Sequence, residues 1–80
     1  MKEKTKEIAV RIKDIREKLG LSIQDVVSKT TINKYDYTDY ESGLIDIPVS
    51  AVLQIAACFN VDISELLTGE APRNSGYSIT

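Results

Sequence analysis

The stretch SIQDVVSKTTINKYDYTDYESG, residues 22–43, carries two helix-start signals with a short interruption between them. Ser22 stands three residues before Asp25, which is the spacing of a capping box. Asn33 is a second N-cap candidate, with Asp36 three residues later. A helix is therefore predicted to begin after each N-cap, and the threonines between the two segments favour a turn.

The second predicted helix has one apolar face and a defined end. Tyr37 and Tyr40 are three residues apart, so they lie on the same face of the helix. Together with Ile32 they are predicted to belong to the core. Gly43 is placed to end the helix, since glycine adopts the left-handed conformation of a C-terminal cap without strain.

Three more helices are predicted in the flanking sequence. Upstream, a stripe of apolar residues recurs every three or four positions and is followed by Gly20 as a helix-ending residue. This stripe consists of Ile8, Ile12, Ile15 and Leu19. Downstream, Pro48 suits the first turn of a fourth helix that ends at Asn60. This helix is apolar nearly all round and is predicted to be the central, buried one. Its apolar residues are Val49, Val52, Leu53, Ile55, Ala56 and Phe59. Asp62 begins a short fifth helix, which Gly69 closes.

Length and composition limit the possible functions. Eighty residues form one small domain, and a chain of this size buries only about 60% of its unfolded surface. The chain has no histidine, no glycine-rich phosphate loop and no carboxylates at metal-ligand spacing. We therefore expect no catalytic residue, no metal and no cofactor, and the protein is predicted not to be an enzyme. The single cysteine, Cys58, excludes an internal disulfide and is predicted to be a small core residue.

The sequence contains no recognisable targeting signal, so the chain is expected to act in the cytoplasm. Its charge is divided unevenly between its two halves. No apolar run approaches the ~20 residues of a membrane span, and no secretory signal opens the chain. Residues 1–34 hold nine Lys and Arg against five Asp and Glu, while residues 35–80 hold one against seven. A chain with this charge distribution can bind a polyanion only through the face formed by its basic half. Alternatively, the lysines of the first helix are simply a solvated face.

Five short helices, two of them joined by a tight turn, describe an all-α helix-turn-helix domain. Over residues 8–69 the sequence resembles the Cro/repressor-type (XRE) DNA-binding family without a gap. The segment RIKDIREKLGLS is similar to the family's first helix and the start of its second, and YESG is similar to its I-E-x-G. The segment VLQIAACFNVDISELL is similar to the family's apolar C-terminal pattern. The resemblance implies a compact five-helix lambda-repressor-like fold over residues 1–69, with a recognition helix at about 33–42 that enters the major groove.

The resemblance also implies roles for individual residues. Glu41 matches a glutamate that pairs with an arginine of the first helix, and Arg16 stands at that arginine's place. Asp36 is in the first turn, where a capping role is the simplest interpretation. The positions that face DNA in the family correspond to Ser22, Gln24, Asn33, Lys34, Tyr35, Thr38 and Asp39.

The chemistry of these DNA-facing residues suggests several contacts. Lys34 can donate to guanine or to phosphate, and Asp39 can accept from cytosine N4. Thr38 or Tyr35 can contact a thymine methyl group or a phosphate. Because Glu41 is expected to be neutralised by its partner, the exposed face of this helix is predicted to be near neutral.

Departures from the family pattern bear on the function. Ile23 replaces a glutamine that usually touches phosphate, with Gln24 displaced by one position, and Thr31 replaces a glycine of the turn. The recognition helix, KYDYTDY, is acidic and rich in tyrosine where basic or amide side chains are usual. Ile23 and Asp39 favour the alternative of a degenerate helix-turn-helix that serves as a protein-interaction or dimerisation module, whereas the lysines of the first helix favour DNA binding.

The leading interpretation is a sequence-specific DNA-binding domain of a prokaryotic or phage transcriptional regulator, acting on double-stranded DNA as a homodimer. The tail LLTGEAPRNSGYSIT resembles that of XRE-type domains fused to a C-terminal cupin. Residues 70–80 are accordingly predicted to be a linker or the start of a further domain, with any effector bound outside this chain.

Overall fold

The computed structural model describes residues 2–69, and the side chains of residues 6–69. These residues form five helices and no strand, which confirms the predicted all-α class. The helices are α1 (Lys2–Lys18), α2 (Ile23–Ser28), α3 (Lys34–Ser42), α4 (Val49–Phe59) and α5 (Ile63–Leu67). The helix-turn-helix predicted from residues 22–43 consists of α2 and α3, which pack against each other.

The helix boundaries follow the predicted capping residues. Ser22 accepts a hydrogen bond from the N–H of Asp25 at 3.0 Å, and the Asp25 carboxylate accepts one from the N–H of Ser22 at 2.8 Å. Asp62 caps α5 through the same kind of reciprocal box. Gly43 and Asn60 end α3 and α4 in the left-handed conformation, with φ of 78° and 59°. These local predictions are confirmed.

The core lies where α1, α3, α4 and α5 meet, and α2 contributes one buried side chain to it, that of Val26. Tyr37 is completely buried, and Tyr40 and Ile32 are 7% and 9% exposed, as predicted. The other buried members of this cluster are Ile12, Ala51, Val52, Ile55, Ala56, Phe59 and Leu66. Since α1 packs against three other helices, it is the element that holds the domain together.

Four residues depart from the burial or position predicted for them. Val49 and Leu53 are 70% and 52% exposed, because α4 is covered on one face only and is not enclosed. Leu19 is 50% exposed, since α1 ends at Lys18 and the helical spacing no longer directs the next side chain inward. Pro48 is the N-cap of α4 and precedes its first turn.

Cys58 packs against the core but is only half-buried, so its predicted role as a core residue holds in part. Within residues 2–69, none of the helices combines the length and the apolar character that a membrane crossing requires.

Candidate nucleic-acid interface

The outward face of α3 is the surface opposite its two buried tyrosines. Tyr35, Thr38 and Asp39 lie on this face at spacings of three and four residues, which brings them side by side. Tyr35 is 83% exposed, Thr38 is exposed and Asp39 is half-exposed. This face therefore presents a phenol, a hydroxyl group and a carboxylate, and Asp39 is the charged member among them.

The first turn of α3 is organised by Asn33. Its side-chain oxygen accepts a hydrogen bond from the N–H of Asp36 at 2.8 Å, and its amide nitrogen donates to the Asp36 carboxylate at 3.1 Å. Asn33 thus caps the start of α3, and the carboxylate of Asp36 supports the cap by accepting from the Asn33 side-chain amide. Both polar atoms of the Asn33 side chain are engaged, although the residue remains exposed.

Two lysines flank the turn between α2 and α3. Lys34 is exposed at the first position of α3, and Lys29 is exposed at the C-terminal cap of α2. Among residues 22–43 these are the basic side chains, and the sequence interpretation included only Lys34. The signal for Lys29 was its place just before the turn, five residues before Lys34 in the sequence.

The start of α2 combines polar and packing roles. Ser22 and Gln24 are exposed, and hydrogen bonds from the backbone and side chain of Ser22 hold the pKa of Asp25 below its usual value. Ile23 is half-buried and packs against the core. Isoleucine at this position therefore adds core contact where the family usually has an amide, and Gln24 is the exposed amide next to it.

Arg16 and Glu41 join α1 to the end of α3 in a shielded ion pair. Arg16 Nε donates to Glu41 Oε2 at 2.6 Å, and Arg16 Nη2 donates to Glu41 Oε1 at 3.1 Å. The two side chains are only 11% and 7% exposed. Arg16 Nη1 also donates to the carbonyl of Leu21 at 2.8 Å, so the arginine holds the α1–α2 connection as well.

Tyr37 completes this network from inside the core. Its hydroxyl donates to Glu41 Oε2 at 2.6 Å. Burial and then this hydrogen bond raise the pKa of Tyr37 well above its ordinary value, while the hydrogen bond to Glu41 raises the pKa of Arg16. The charge of Glu41 is therefore cancelled internally, and the exposed surface of α3 is set by the residues on its other face.

The turn between α2 and α3 is fastened to α4 by Gln54. Gln54 Oε1 accepts a hydrogen bond from the N–H of Thr31 at 2.7 Å, and Gln54 Nε2 donates to Thr31 Oγ1 at 2.9 Å. Among the described non-glycine residues only Asn60 has a positive φ, so Thr31 needs none of the conformational freedom of the glycine it replaces. The sequence interpretation missed Gln54, because its partner is 23 residues away.

Arg11 is a second long-range contact that the sequence interpretation missed. Its Nη1 donates to the carbonyls of Leu66 and Leu67 at 3.0 and 2.9 Å, which satisfies the C-terminal end of α5. Within the described part of the chain, no group of His, Cys, Asp or Glu side chains is arranged to hold a metal ion.

The geometry has the parts of a DNA-reading module: two short packed helices, a fastened turn and an exposed polar face on the second helix. Comparison with known families gives a match to a helix-turn-helix domain over residues 9–72. No curated protein and no solved structure matched the chain. The match covers most of the sequence and confirms the resemblance to the Cro/repressor type. The chain belongs to this helix-turn-helix domain family.

Proposed function

We propose that this chain is the sequence-specific DNA-binding domain of a prokaryotic or phage transcriptional regulator, with α3 in the major groove. The observation that carries the proposal is the outward face of α3, whose Tyr35, Thr38 and Asp39 are displayed by a helix anchored on its other side. The anchors are the buried Tyr37 and the shielded Glu41. A helix fixed in this way can present its side chains to base edges in a constant register.

Each exposed side chain has a defined contact that it can make. Lys34 can donate to guanine O6 and N7 or to a phosphate, and Asp39 can accept from cytosine N4. The Thr38 hydroxyl donates to the carbonyl of Lys34 at 2.8 Å, which leaves its methyl group and oxygen lone pairs for a base. Tyr35, almost fully exposed, can reach a thymine methyl group or a phosphate.

The groups that attract DNA phosphates must lie outside the outward face of α3. Lys29 and Lys34 lie at the turn before α3, and Ser22 and Gln24 are exposed at the start of α2, where backbone N–H groups also favour anions. Lys13 and Lys18, both exposed, add positive charge on α1. Because phosphate contacts supply most non-specific affinity, the proposal requires binding that weakens steeply with salt.

A protein-interaction module is the second candidate, and two observations favour it. The charged residue within the outward face is acidic, Asp39, which repels phosphate. Ile23 packs against the core where an amide would reach the DNA backbone. A module of this kind would show no salt-dependent affinity for duplex DNA.

The experiment is a fluorescence anisotropy titration with random duplex and with duplexes selected from a random library, each at several salt concentrations. The wild-type protein should give a linear fall of log K with log salt. If Lys34 contacts a phosphate, Lys34→Ala should reduce the slope of log K against log salt by about one unit. If Lys34 contacts a guanine, the variant should instead lose its preference at one base position. Lys13→Ala removes one charge of α1 for comparison; it should flatten the salt slope less than Lys34→Ala does and should change the preference at no base position. Absence of salt-dependent binding by the wild type would refute the proposal and leave the interaction module.

The domain limits and assembly are part of the same proposal. Residues 1–69 act as the DNA-binding unit, and residues 70–80 lead to a further domain that senses any effector. The family match extends three residues past Gly69. One module of this size reads a half-site of a few base pairs, so the regulator acts as a homodimer on DNA in the cytoplasm.

A further inference from the structure

The turn between α2 and α3 stands directly before the first residues of the proposed recognition helix. Thr31 lies two residues before the N-cap Asn33, and Lys34 and Tyr35 follow at once as the first two residues of α3. Ile32 holds this turn from the inside, because its side chain is buried in the core, whereas Thr31 is exposed. A displacement of the backbone at Thr31 would therefore also displace the start of α3.

Helix α3 is fastened to the rest of the domain near both of its ends. Near its C-terminus, Glu41 is held by two hydrogen bonds from Arg16 of α1. Just before its N-terminus, Gln54 of α4 provides the fastening through hydrogen bonds with Thr31. Since the body of α3 packs against α1 and α2, Gln54 adds a link between the start of α3 and a third helix.

Both polar atoms of the Gln54 side chain take part in this link. Its Oε1 accepts from the N–H of Thr31 at 2.7 Å and from the Thr31 hydroxyl at 3.2 Å, and its Nε2 donates to Thr31 Oγ1 at 2.9 Å. The next two residues of α4, Ile55 and Ala56, are buried in the core, which fixes the backbone that carries Gln54. The family usually has a glycine at the place of Thr31, and glycine has no hydroxyl to take part. The paired contact therefore depends on the threonine of this chain.

We propose that Gln54 is a positioning residue for DNA recognition: it fixes Thr31, and through Thr31 it sets the register of Lys34 and Tyr35 against the bases. The inference rests on the proposed function and assigns Gln54 no contact with DNA of its own. Groups that recognise a ligand must be held to within about 0.5 Å of their working geometry by the residues around them. Because base contacts carry the sequence information and phosphate contacts do not, a loosened turn should reduce preference among sequences more than general affinity for duplex DNA.

The test measures a ratio of two affinities by fluorescence anisotropy: that for a duplex selected by the wild-type chain from a random library, and that for random duplex. Gln54→Met removes both hydrogen-bonding atoms but keeps the length of the side chain, and methionine is a good helix former. The ratio should fall at least about fivefold, which is the lower limit for one good base contact. The affinity for random duplex and its salt dependence should stay as in the wild type.

The conservative variant Gln54→Glu keeps an oxygen that can accept from both the N–H and the hydroxyl of Thr31. It should therefore retain the ratio, even where its charge lowers both affinities. Thr31→Val removes the hydroxyl, and in combination with Gln54→Met it should lower the ratio no further than Gln54→Met does alone, because the two residues act through one contact.

Arg11→Met is the matched control for a loss of long-range fastening, because Arg11 joins α1 to the end of α5 and not to the turn. It should leave the ratio unchanged, even where the lost charge lowers both affinities. Circular dichroism of each variant shows that it is folded at the temperature of the titration.

Three results would overturn the inference. The first is an unchanged ratio in Gln54→Met. The second is an equal loss of affinity for selected and random duplex, which would mean that Gln54 itself contacts the DNA backbone. The third is an equally large fall of the ratio in Arg11→Met, which would mean that general loosening of the fold is the cause. A wild-type chain that binds no DNA, or binds all duplexes equally, would instead refute the proposed function and this inference with it.

Discussion

Replacing Glu41 with glutamine tests how far the ion pair with Arg16 stabilises the fold. The substitution keeps the shape of the side chain but leaves the arginine, 11% exposed, without its counter-charge. Removing one partner of a buried pair costs about 3–5 kcal/mol. At roughly 0.05–0.15 kcal/mol per residue, the 80 residues give a total free energy of unfolding of about 4–12 kcal/mol, so this loss is a large fraction of it. A loss of about 3 kcal/mol would lower the melting temperature by roughly 12–24 °C.

Urea unfolding followed by circular dichroism measures this loss, and Glu7→Gln is the matched control. Glu7 also faces an arginine, Arg11, at 3.6 Å, but its side chain is 55% exposed. The control should therefore cost at most about 1 kcal/mol, as exposed pairs generally do. If Glu41→Gln and Glu7→Gln destabilise the protein equally, the shielding of the α1–α3 pair contributes nothing and the reasoning is wrong. A Tyr37→Phe double-mutant cycle would then show whether the phenol hydrogen bond is coupled to the charge.

Three further predictions concern α3 and its surroundings. Asp39→Asn removes a charge that repels phosphate, so affinity for random duplex should rise while preference among sequences falls. Anisotropy measures both, and unchanged affinity for every DNA would count against α3 as the recognition helix. The pKa of Tyr37 is raised in the folded state, so the contribution of its protonated hydroxyl to stability is complete below pH 10. As the pH rises above about 10, the free energy of unfolding should fall by up to ~1.4 kcal/mol per pH unit. Chemical unfolding at pH 9 to 11 should show a steeper decline for the wild type than for Tyr37→Phe, and parallel declines would contradict this. Gln54→Ala removes the partner of the exposed Thr31 N–H and should cost about 0.5–1.5 kcal/mol in thermal unfolding, whereas an unchanged midpoint would mean that water replaces the amide fully.

Local sequence signals predicted most of the fold because they depend on neighbours three or four residues apart. The capping residues Ser22, Asn33 and Asp62 mark the starts of α2, α3 and α5, and the spacing of Tyr37 and Tyr40 indicates the buried face of α3. These features rely on backbone geometry and helical periodicity, which the sequence displays directly. The partnership of Arg16 with Glu41 came instead from the family resemblance, since 25 residues separate them.

The remaining features could not be predicted because they arise only when distant segments meet. Nothing near Gln54 indicates that it holds the turn at Thr31, and Arg11 reaches the end of α5 across 55 residues of sequence. Periodicity also does not show which apolar side chains stay uncovered, as Val49 and Leu53 illustrate. The base- and phosphate-contacting residues remain predictions until binding is measured.

The attachment of α3 to the core has a consequence for the thermodynamics of recognition. With Tyr37 and Tyr40 buried and Glu41 tied to α1, this helix is already ordered before any partner arrives. Binding should therefore carry only a small entropic cost for ordering α3, unlike the binding of a segment that folds on its partner. The helix content measured by circular dichroism should barely change on binding. Calorimetry should show a heat-capacity change that matches the apolar surface buried at the interface, without a folding contribution.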